Sequence, residues 1–165
     1  MENKTYTPEL APRQGEFTAW GLALFSLLGL AILTYAGFSS WIANFFVGFL
    51  FFAALSISLG NWMDRRTRLS LGPGGVSFTN GLRTVQLDWE AIREVRIYPG
   101  QTGDSVEVIG AQTHFSFKTL GEMKYEGQTR MRTGFVDGER ILDVIVARAG
   151  LVKAKQSDFT RYVRP

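Results

Sequence analysis

The sequence predicts a transmembrane helical hairpin followed by a mainly-β soluble domain of the α+β class, which ends in one amphipathic helix. No Asp, Glu, Lys or Arg occurs between Glu16 and Asp64, although the 165-residue chain carries 18 Lys and Arg and 15 Asp and Glu. After Arg65, short segments alternate apolar and polar residues between turn residues, as strands do. Around residues 137–150 the apolar spacing changes to three and four residues, which is typical of an amphipathic helix. A chain of this length holds one membrane module and one small domain.

Residues 18–37 and 41–63 are the predicted transmembrane helices. A bilayer core about 30 Å thick needs about 20 apolar residues at a rise of about 1.5 Å each, so the uncharged stretch accommodates two spans joined by a short turn. Aromatic residues lie near both ends of each span, where interfacial belts are expected. The predicted membrane-interface residues are Trp20, Tyr35, Trp41 and Trp62.

Positive charge flanks the spans but is absent from the turn between them. Lys4 and Arg13 precede the first helix, and the basic segment 65–68 follows the second. The positive-inside rule therefore places both termini and the soluble domain in the cytoplasm, with residues 1–17 as a cytoplasmic tail. The expected location is the inner membrane of a bacterium.

Two other interpretations of the apolar segment are disfavoured. A cleavable signal peptide would not carry Glu2, Glu9 and Glu16 before its apolar core or lead at once into a second span. A buried helical hairpin of a soluble protein would need more chain to cover it than this sequence has.

Small residues recur along both predicted helices, where they allow helix backbones to approach closely. Two uses stay open: packing of the two helices against each other, or a docking face for another membrane subunit. The spans contain no ionisable side chain, which argues against an ion path or a proton relay. The candidate helix-packing residues are Gly21, Gly29, Gly48, Ser56 and Gly60.

The soluble domain is predicted at residues 64–152 and consists mainly of short antiparallel strands. Residues 72–75, Gly-Pro-Gly-Gly, form its first turn. Asn80-Gly81 forms the second, because both central positions of a type I′ turn favour these residue types. The predicted strands are residues 69–71, 76–79, 84–87, 95–98, 105–109 and 113–118.

Helical elements interrupt and close this series of strands. Asp88 is predicted to cap one helical turn, and residues 120–134 are an irregular strand or a long loop. Asp137 is predicted to cap the last helix, and Gly150 to end it. This outline is a small β-barrel or sandwich capped by a C-terminal α-helix.

Three segments carry a family resemblance: residues 69–79, residues 87–92 (Leu-Asp-Trp-Glu-Ala-Ile) followed by a strand, and residues 134–142. Together they resemble the bacterial pleckstrin-homology-like domains, which are often attached to short membrane hairpins. The resemblance implies a PH-like barrel or sandwich that serves as an interaction platform. Phosphoinositide-binding relatives carry Lys and Arg around the first hairpin loop, whereas residues 72–75 carry none, so inositol-lipid binding is not expected.

Catalytic, cofactor and metal sites are not predicted. The chain has no Cys and one His, His114, which excludes Cys-ligated metals and His-rich sites. The carboxylate pairs Asp88/Glu90 and Asp137/Glu139 lie at helix starts, where capping and dipole compensation explain them. We therefore predict that the protein is not an enzyme and has no evident small-molecule substrate. An enzyme completed by a partner would require His114 or a carboxylate pair in a cleft.

Basic residues near the membrane segment and in the C-terminal tail, residues 153–165, are candidates for lipid-headgroup or partner contacts. The tail suits a membrane interface or a partner's groove, and a disordered end is the alternative. Residues 65–147 carry eleven Lys and Arg against ten Asp and Glu, which argues against nucleic-acid binding. The candidates are Arg65, Arg66, Arg68, Lys153, Lys155, Arg161 and Arg164.

The function expected from these features is a non-enzymatic, membrane-anchored interaction module. Its partners would be the bilayer and other membrane-protein subunits, as an accessory subunit or assembly scaffold of a respiratory or photosynthetic complex. The alternative is a peripheral protein that senses anionic lipids through its basic residues.

Overall fold

The computed structural model describes residues 3–10, 12–125, 128–154 and 159–165, with the backbone alone at 123–125 and 128–131. The chain forms two compact units. One is a helical hairpin at residues 12–63, and the other is a domain made of residues 1–11 and 64–165. The domain therefore includes the N-terminal segment that the sequence analysis assigns to a tail.

The hairpin consists of α1, Gln14–Tyr35, and α2, Trp41–Arg66. Both helices are long and apolar enough to cross a membrane. Relative to the predicted spans, α1 begins and ends earlier, and α2 continues three residues beyond residue 63. Most large apolar side chains of the two helices are exposed, while Ala23, Val47 and Ala54 are buried.

The domain contains two main antiparallel sheets, which we call sheet I and sheet II. Sheet I has the strand order β1-β2-β3-β4, and sheet II has the order β10-β11-β5-β6-β7, while β8 pairs with β9. The strands of sheet I are β1 Lys4–Tyr6, β2 Thr67–Leu71, β3 Gly75–Asn80 and β4 Thr84–Asp88. The strands of sheet II and of the small pair are β5 Ile92–Tyr98, β6 Ser105–Gly110, β7 His114–Lys118, β8 Gly121–Tyr125, β9 Gln128–Thr133, β10 Val152–Ala154 and β11 Thr160–Val163.

Helical elements lie where the sequence predicts them. A single 3-10 turn, Trp89–Ala91, precedes β5, and α3 extends over Gly138–Ala149. Gly150, with a φ of 65°, ends α3 in the left-handed conformation that glycine favours. The predicted side-chain caps are wrong, because neither Asp88 nor Asp137 makes a capping hydrogen bond.

The core of the domain is formed by the inward faces of both sheets and by one face of α3. Burial alternates along β4 and β7, as expected for strands with one covered face. Leu69, Phe115 and Ile141 are fully buried, one from each of these three layers. The predicted mainly-β domain with a C-terminal helix is confirmed, but the two sheets do not close into one barrel.

Both predicted tails contribute strands to the sheets. Tyr6 of β1 is buried and pairs with Leu69 of β2. At the other end of the chain, β11 pairs with both β10 and β5. Strands of three and four residues carry too little periodicity to be recognised in the sequence, since they are specified by their long-range partners.

Candidate functional surfaces

A polar cluster joins the two helices at the open end of the hairpin. Ser58 Oγ donates a hydrogen bond to Glu16 Oε1 at 3.0 Å, and Asn61 Nδ2 donates to Glu16 Oε2 at 2.9 Å. Trp20 Nε1 donates to Ser58 Oγ at 2.8 Å, and its ring meets Phe51 edge-on at 5.9 Å. The cluster fixes which faces of α1 and α2 meet. Sequence reasoning missed it, although Ser58 and Asn61 have the i, i+3 spacing of one helix face.

The predicted interface aromatics lie at both ends of the hairpin. Tyr35 and Trp41 flank the turn and are exposed, and Trp62 near the end of α2 is also exposed in part. Trp20 differs, because its indole N–H is bonded to Ser58 inside the hairpin. A bilayer would cover the exposed rings of the other three.

The predicted small residues do not lie between α1 and α2. A Cβ atom built on Gly21, Gly29, Gly48 or Gly60 would meet no atom within 4 Å. Val47 and Ala54 are the buried residues of α2. Ser56 and Gly60 lie on the side of α2 opposite these two residues, and Gly48 lies on its flank; all three are exposed. The structure thus shows no close contact of these four glycines with the facing helix.

The juxtamembrane arginines remain at the surface, although not equally. Arg68, in β2, and Arg66, the last residue of α2, are exposed, whereas Arg65 is half-buried. Lys153 is exposed in β10, and Lys155 lies outside the described residues. Arg66, Arg68 and Lys153 are thus exposed, and their role as lipid or partner contacts stays a prediction.

The two C-terminal arginines, Arg161 and Arg164, make hydrogen bonds within the domain. Arg161 binds the Glu94 carboxylate through Nε at 2.8 Å and Nη2 at 3.1 Å. Arg164 Nη2 donates to the carbonyl oxygens of Trp89, Ile92 and Ala149 at 2.9, 3.1 and 3.2 Å. These two guanidinium groups therefore have acceptors within the domain, although Arg164 is exposed and Arg161 partly so. Their role as lipid or partner contacts stays a prediction.

Glu94 is the centre of a charge ladder on the outer face of sheet II. Arg96 Nε lies 2.6 Å from Glu94 Oε1, and Arg96 Nη1 lies 3.8 Å from Glu107 Oε2. Burial raises the pKa of Glu94, but hydrogen bonds from Arg96 and Arg161 outweigh it and hold the pKa below its usual value of 4.5. The hydrogen bond to Glu94 in turn raises the pKa of Arg96.

Replacing Glu94 by Gln should destabilise the domain at neutral pH by about 2 kcal/mol, because two arginines lose a carboxylate that is 13% exposed. Since the folded pKa is depressed, the stabilisation is present above about pH 4.5 and is lost as pH falls through the folded pKa. Thermal unfolding of Glu94→Gln in detergent at pH 3 to 7 should show a flatter pH dependence than the wild type. The same slope in both proteins would contradict this role.

The glycine-rich turn at residues 72–75 is held from the side by Trp89 and Arg148. Trp89 Nε1 donates to Pro73 O at 3.0 Å, and Arg148 Nη1 donates to Gly72 O at 3.0 Å while its guanidinium lies over the Trp89 ring. The turn is therefore a fixed hairpin connection, as predicted.

A shallow cleft of about 270 Å³ lies beside this turn on the polar face of sheet I. Of the candidate catalytic residues, Asp88 lines the cleft, whereas His114 does not and is exposed on β7. Among the described residues, no group of three or more His, Asp and Glu is placed to hold a metal ion. The polar side chains lining the cleft are Asn3, Ser70, Ser77, Gln86 and Asp88.

The domain has two distinct ends. Thr67 directly follows α2 and pairs with Asn80, so the β3–β4 turn lies beside the point where the chain leaves the hairpin. The segment after β1 leaves sheet I at this same end, because β1 is antiparallel to β2. We call it the tether end. The distal end carries the 72–75 turn and Arg148.

Comparison with known proteins gives no relative: no family model, no curated protein and no solved structure matches the chain.

Proposed function

We propose that the protein is a non-enzymatic, membrane-anchored interaction module, and that it serves as an accessory subunit or assembly scaffold of a respiratory or photosynthetic membrane complex. In this proposal the domain is PH-like and faces the cytoplasm, and the hairpin crosses the inner membrane. The PH-like assignment is motivated by the resemblance of residues 69–79, 87–92 and 134–142 to PH-like domains. The cytoplasmic location is motivated by the positive residues around the hairpin.

The observation that carries the proposal is the pairing of β1 with β2. β1 precedes α1 and β2 follows α2, so both outer ends of the hairpin lead into one sheet. Such pairing supports a location of both ends on one side of the bilayer. Attachment to the hairpin through both β1 and β2 also keeps the surfaces of the domain at a high effective concentration near neighbouring membrane proteins.

The outer face of α2 is the proposed contact for a partner helix. A Cβ atom built on Gly48 or Gly60 would meet no atom within 4 Å, and Ser56 is exposed. Ser56 and Gly60 have the small-xxx-small spacing that allows close helix contacts in membranes. A lipid sensor is less well supported, because Arg161 and Arg164 are bound within the domain.

Purification of the tagged full-length protein from its native membrane in mild detergent tests the proposal. We expect stoichiometric membrane-protein partners by mass spectrometry, and their loss in Gly48→Leu and Gly60→Leu variants. The melting temperature of the isolated protein should be nearly unchanged, since a Cβ atom at either position meets no other atom within 4 Å. Gly21→Leu on α1 is the matched control and should keep the partners. A lone monomer from wild-type membranes would contradict the proposal.

A further inference from the structure

The exposed apolar side chains of the domain are not evenly distributed. Three of them belong to the tether end: Leu82 in the β3–β4 turn, Leu10 before α1 and Val136 before α3. They are 63%, 42% and 56% exposed. Among the described side chains of the domain, the large apolar residues that are exposed are Leu10, Leu82, Tyr98, Val136 and Val152.

Leu82 is fixed at the tip of a tight turn. Asn80 N donates to Arg83 O at 3.2 Å, which leaves Gly81 and Leu82 as the loop residues instead of the predicted Asn80 and Gly81. Asn80 Oδ1 accepts hydrogen bonds from Leu82 N at 3.3 Å and Arg83 N at 3.1 Å. The turn therefore holds the Leu82 side chain away from the core. Exposure of an apolar side chain to water is unfavourable, so this position needs an explanation.

The chain connection limits how far Leu82 can lie from the end of the predicted apolar span. Paired strands are about 5 Å apart and each further residue adds about 3.3 Å, so Leu82 lies within about 12 Å of Thr67. Thr67 is four residues beyond Met63, the last residue of the predicted apolar span, or about 6 Å along a helix. The interfacial layer itself is about 5 to 7 Å deep on each side of the hydrocarbon core.

Val136 and Leu10 lie at the segment that connects β1 with α1. Glu9 N donates to Gly134 O at 2.8 Å, and Gly134 N donates to Glu9 O at 3.3 Å. Val136 follows this pairing by two residues, and Leu10 lies four residues before the start of α1. Val136 is therefore near Glu9 and Leu10, in the segment that leads from β1 toward α1.

We propose that the tether end is a bilayer-contact surface, with Leu82, Val136 and Leu10 inserted in the interfacial layer of the membrane that the hairpin crosses. Arg68 lies beside the β3–β4 turn and Arg83 lies within it, where Arg83 Nη2 also donates to His114 O at 2.8 Å. The positive charge of these two residues favours anionic headgroups there. Asp137 follows Val136 directly, so contact at that point is with apolar or zwitterionic lipid groups. The distal end then faces away from the lipid. This inference rests on the proposed crossing of the membrane by the hairpin, but not on the proposed accessory function.

Single-cysteine variants of the full-length protein test this surface, because the natural chain has no cysteine. Leu82→Cys and Val136→Cys carry an environment-sensitive fluorophore in nanodiscs of phosphatidylcholine. Val152→Cys, at an exposed valine just beyond α3, is the matched control, and Gln86→Cys is a second control further along β4. We expect blue-shifted emission and quenching by lipid-borne nitroxides at positions 82 and 136 but not at the controls.

Changes in lipid composition and the use of aqueous quenchers distinguish contact with lipid from exposure to water and from cover by protein. Addition of phosphatidylglycerol should increase lipid quenching at position 82 and leave position 136 unchanged. Equal access of iodide to positions 82, 136 and 152 would overturn the proposal. Shielding from iodide without lipid quenching would also overturn it, since the surface would then be covered by protein instead of lipid.

Discussion

Phe115→Ala should destabilise the domain by about 3 to 5 kcal/mol, the usual cost of removing a fully buried phenylalanine. The Phe115 ring is completely buried and stacks on Phe78 at 5.1 Å, so it connects sheet II with sheet I. It also packs near Phe117, whose ring meets Phe135 edge-on at 5.8 Å. The cavity would therefore open at the junction of both sheets.

Hydrogen exchange of the full-length protein in detergent measures this loss without interference from the hairpin. Protection of β6 and β7 peptides should fall in Phe115→Ala, whereas α1 and α2 should be unaffected. Ser116→Ala is the matched control, because its side chain is on the exposed face of the same strand. A change below about 1 kcal/mol would mean that the stacked pair is not a central part of the core.

Much of the domain could be predicted because its strands keep one face covered. Val85 and Leu87 alternate with exposed residues in β4, and the same alternation defines β7. The helix α3 follows from apolar spacing and from Gly150. Strand β1 could not be predicted, since three residues have no period of their own and Tyr6 is buried only because β2 lies beside it.

The sequence also could not decide which face of α2 meets α1. Val47 and Ala54 form one helical row, and Gly48, Ser56 and Gly60 form another with equally regular spacing. The hydrogen bonds of Ser58 and Asn61 to Glu16 fix the rotation of α2, because they hold one face of this helix against α1. The glycine row is thereby turned outward, where it can contact another helix.

The roles of the C-terminal arginines were hidden for a different reason. A run with Arg161, Tyr162 and Arg164 has the composition of a contact surface, and composition does not reveal long-range acceptors. Arg161 meets Glu94, which is 67 residues away in the sequence. An arginine that binds an acceptor within the domain cannot be distinguished, in the sequence, from an arginine that binds a lipid headgroup.

Arg164→Ala should cost about 2 to 3 kcal/mol, because one guanidinium nitrogen bonds three carbonyl oxygens from the 3-10 turn, β5 and the end of α3. Its positive charge also lies beside the C-terminus of α3, where the helix dipole favours a cation. Arg164→Lys should recover part of the loss, since an ammonium keeps the charge but lacks the planar guanidinium geometry.

Exchange protection at the start of β5 and the end of α3 should fall in Arg164→Ala, while protection in sheet I changes less. Arg140→Ala, at an exposed position in the first turn of α3, is the control for loss of one positive charge. Partner recovery from native membranes provides the deciding comparison. If Arg164→Ala kept full stability but lost its partners, Arg164 would be a contact residue, and the composition of the C-terminal segment would have been the better guide. Loss of stability with partners retained by the folded fraction would establish that this arginine acts within the domain.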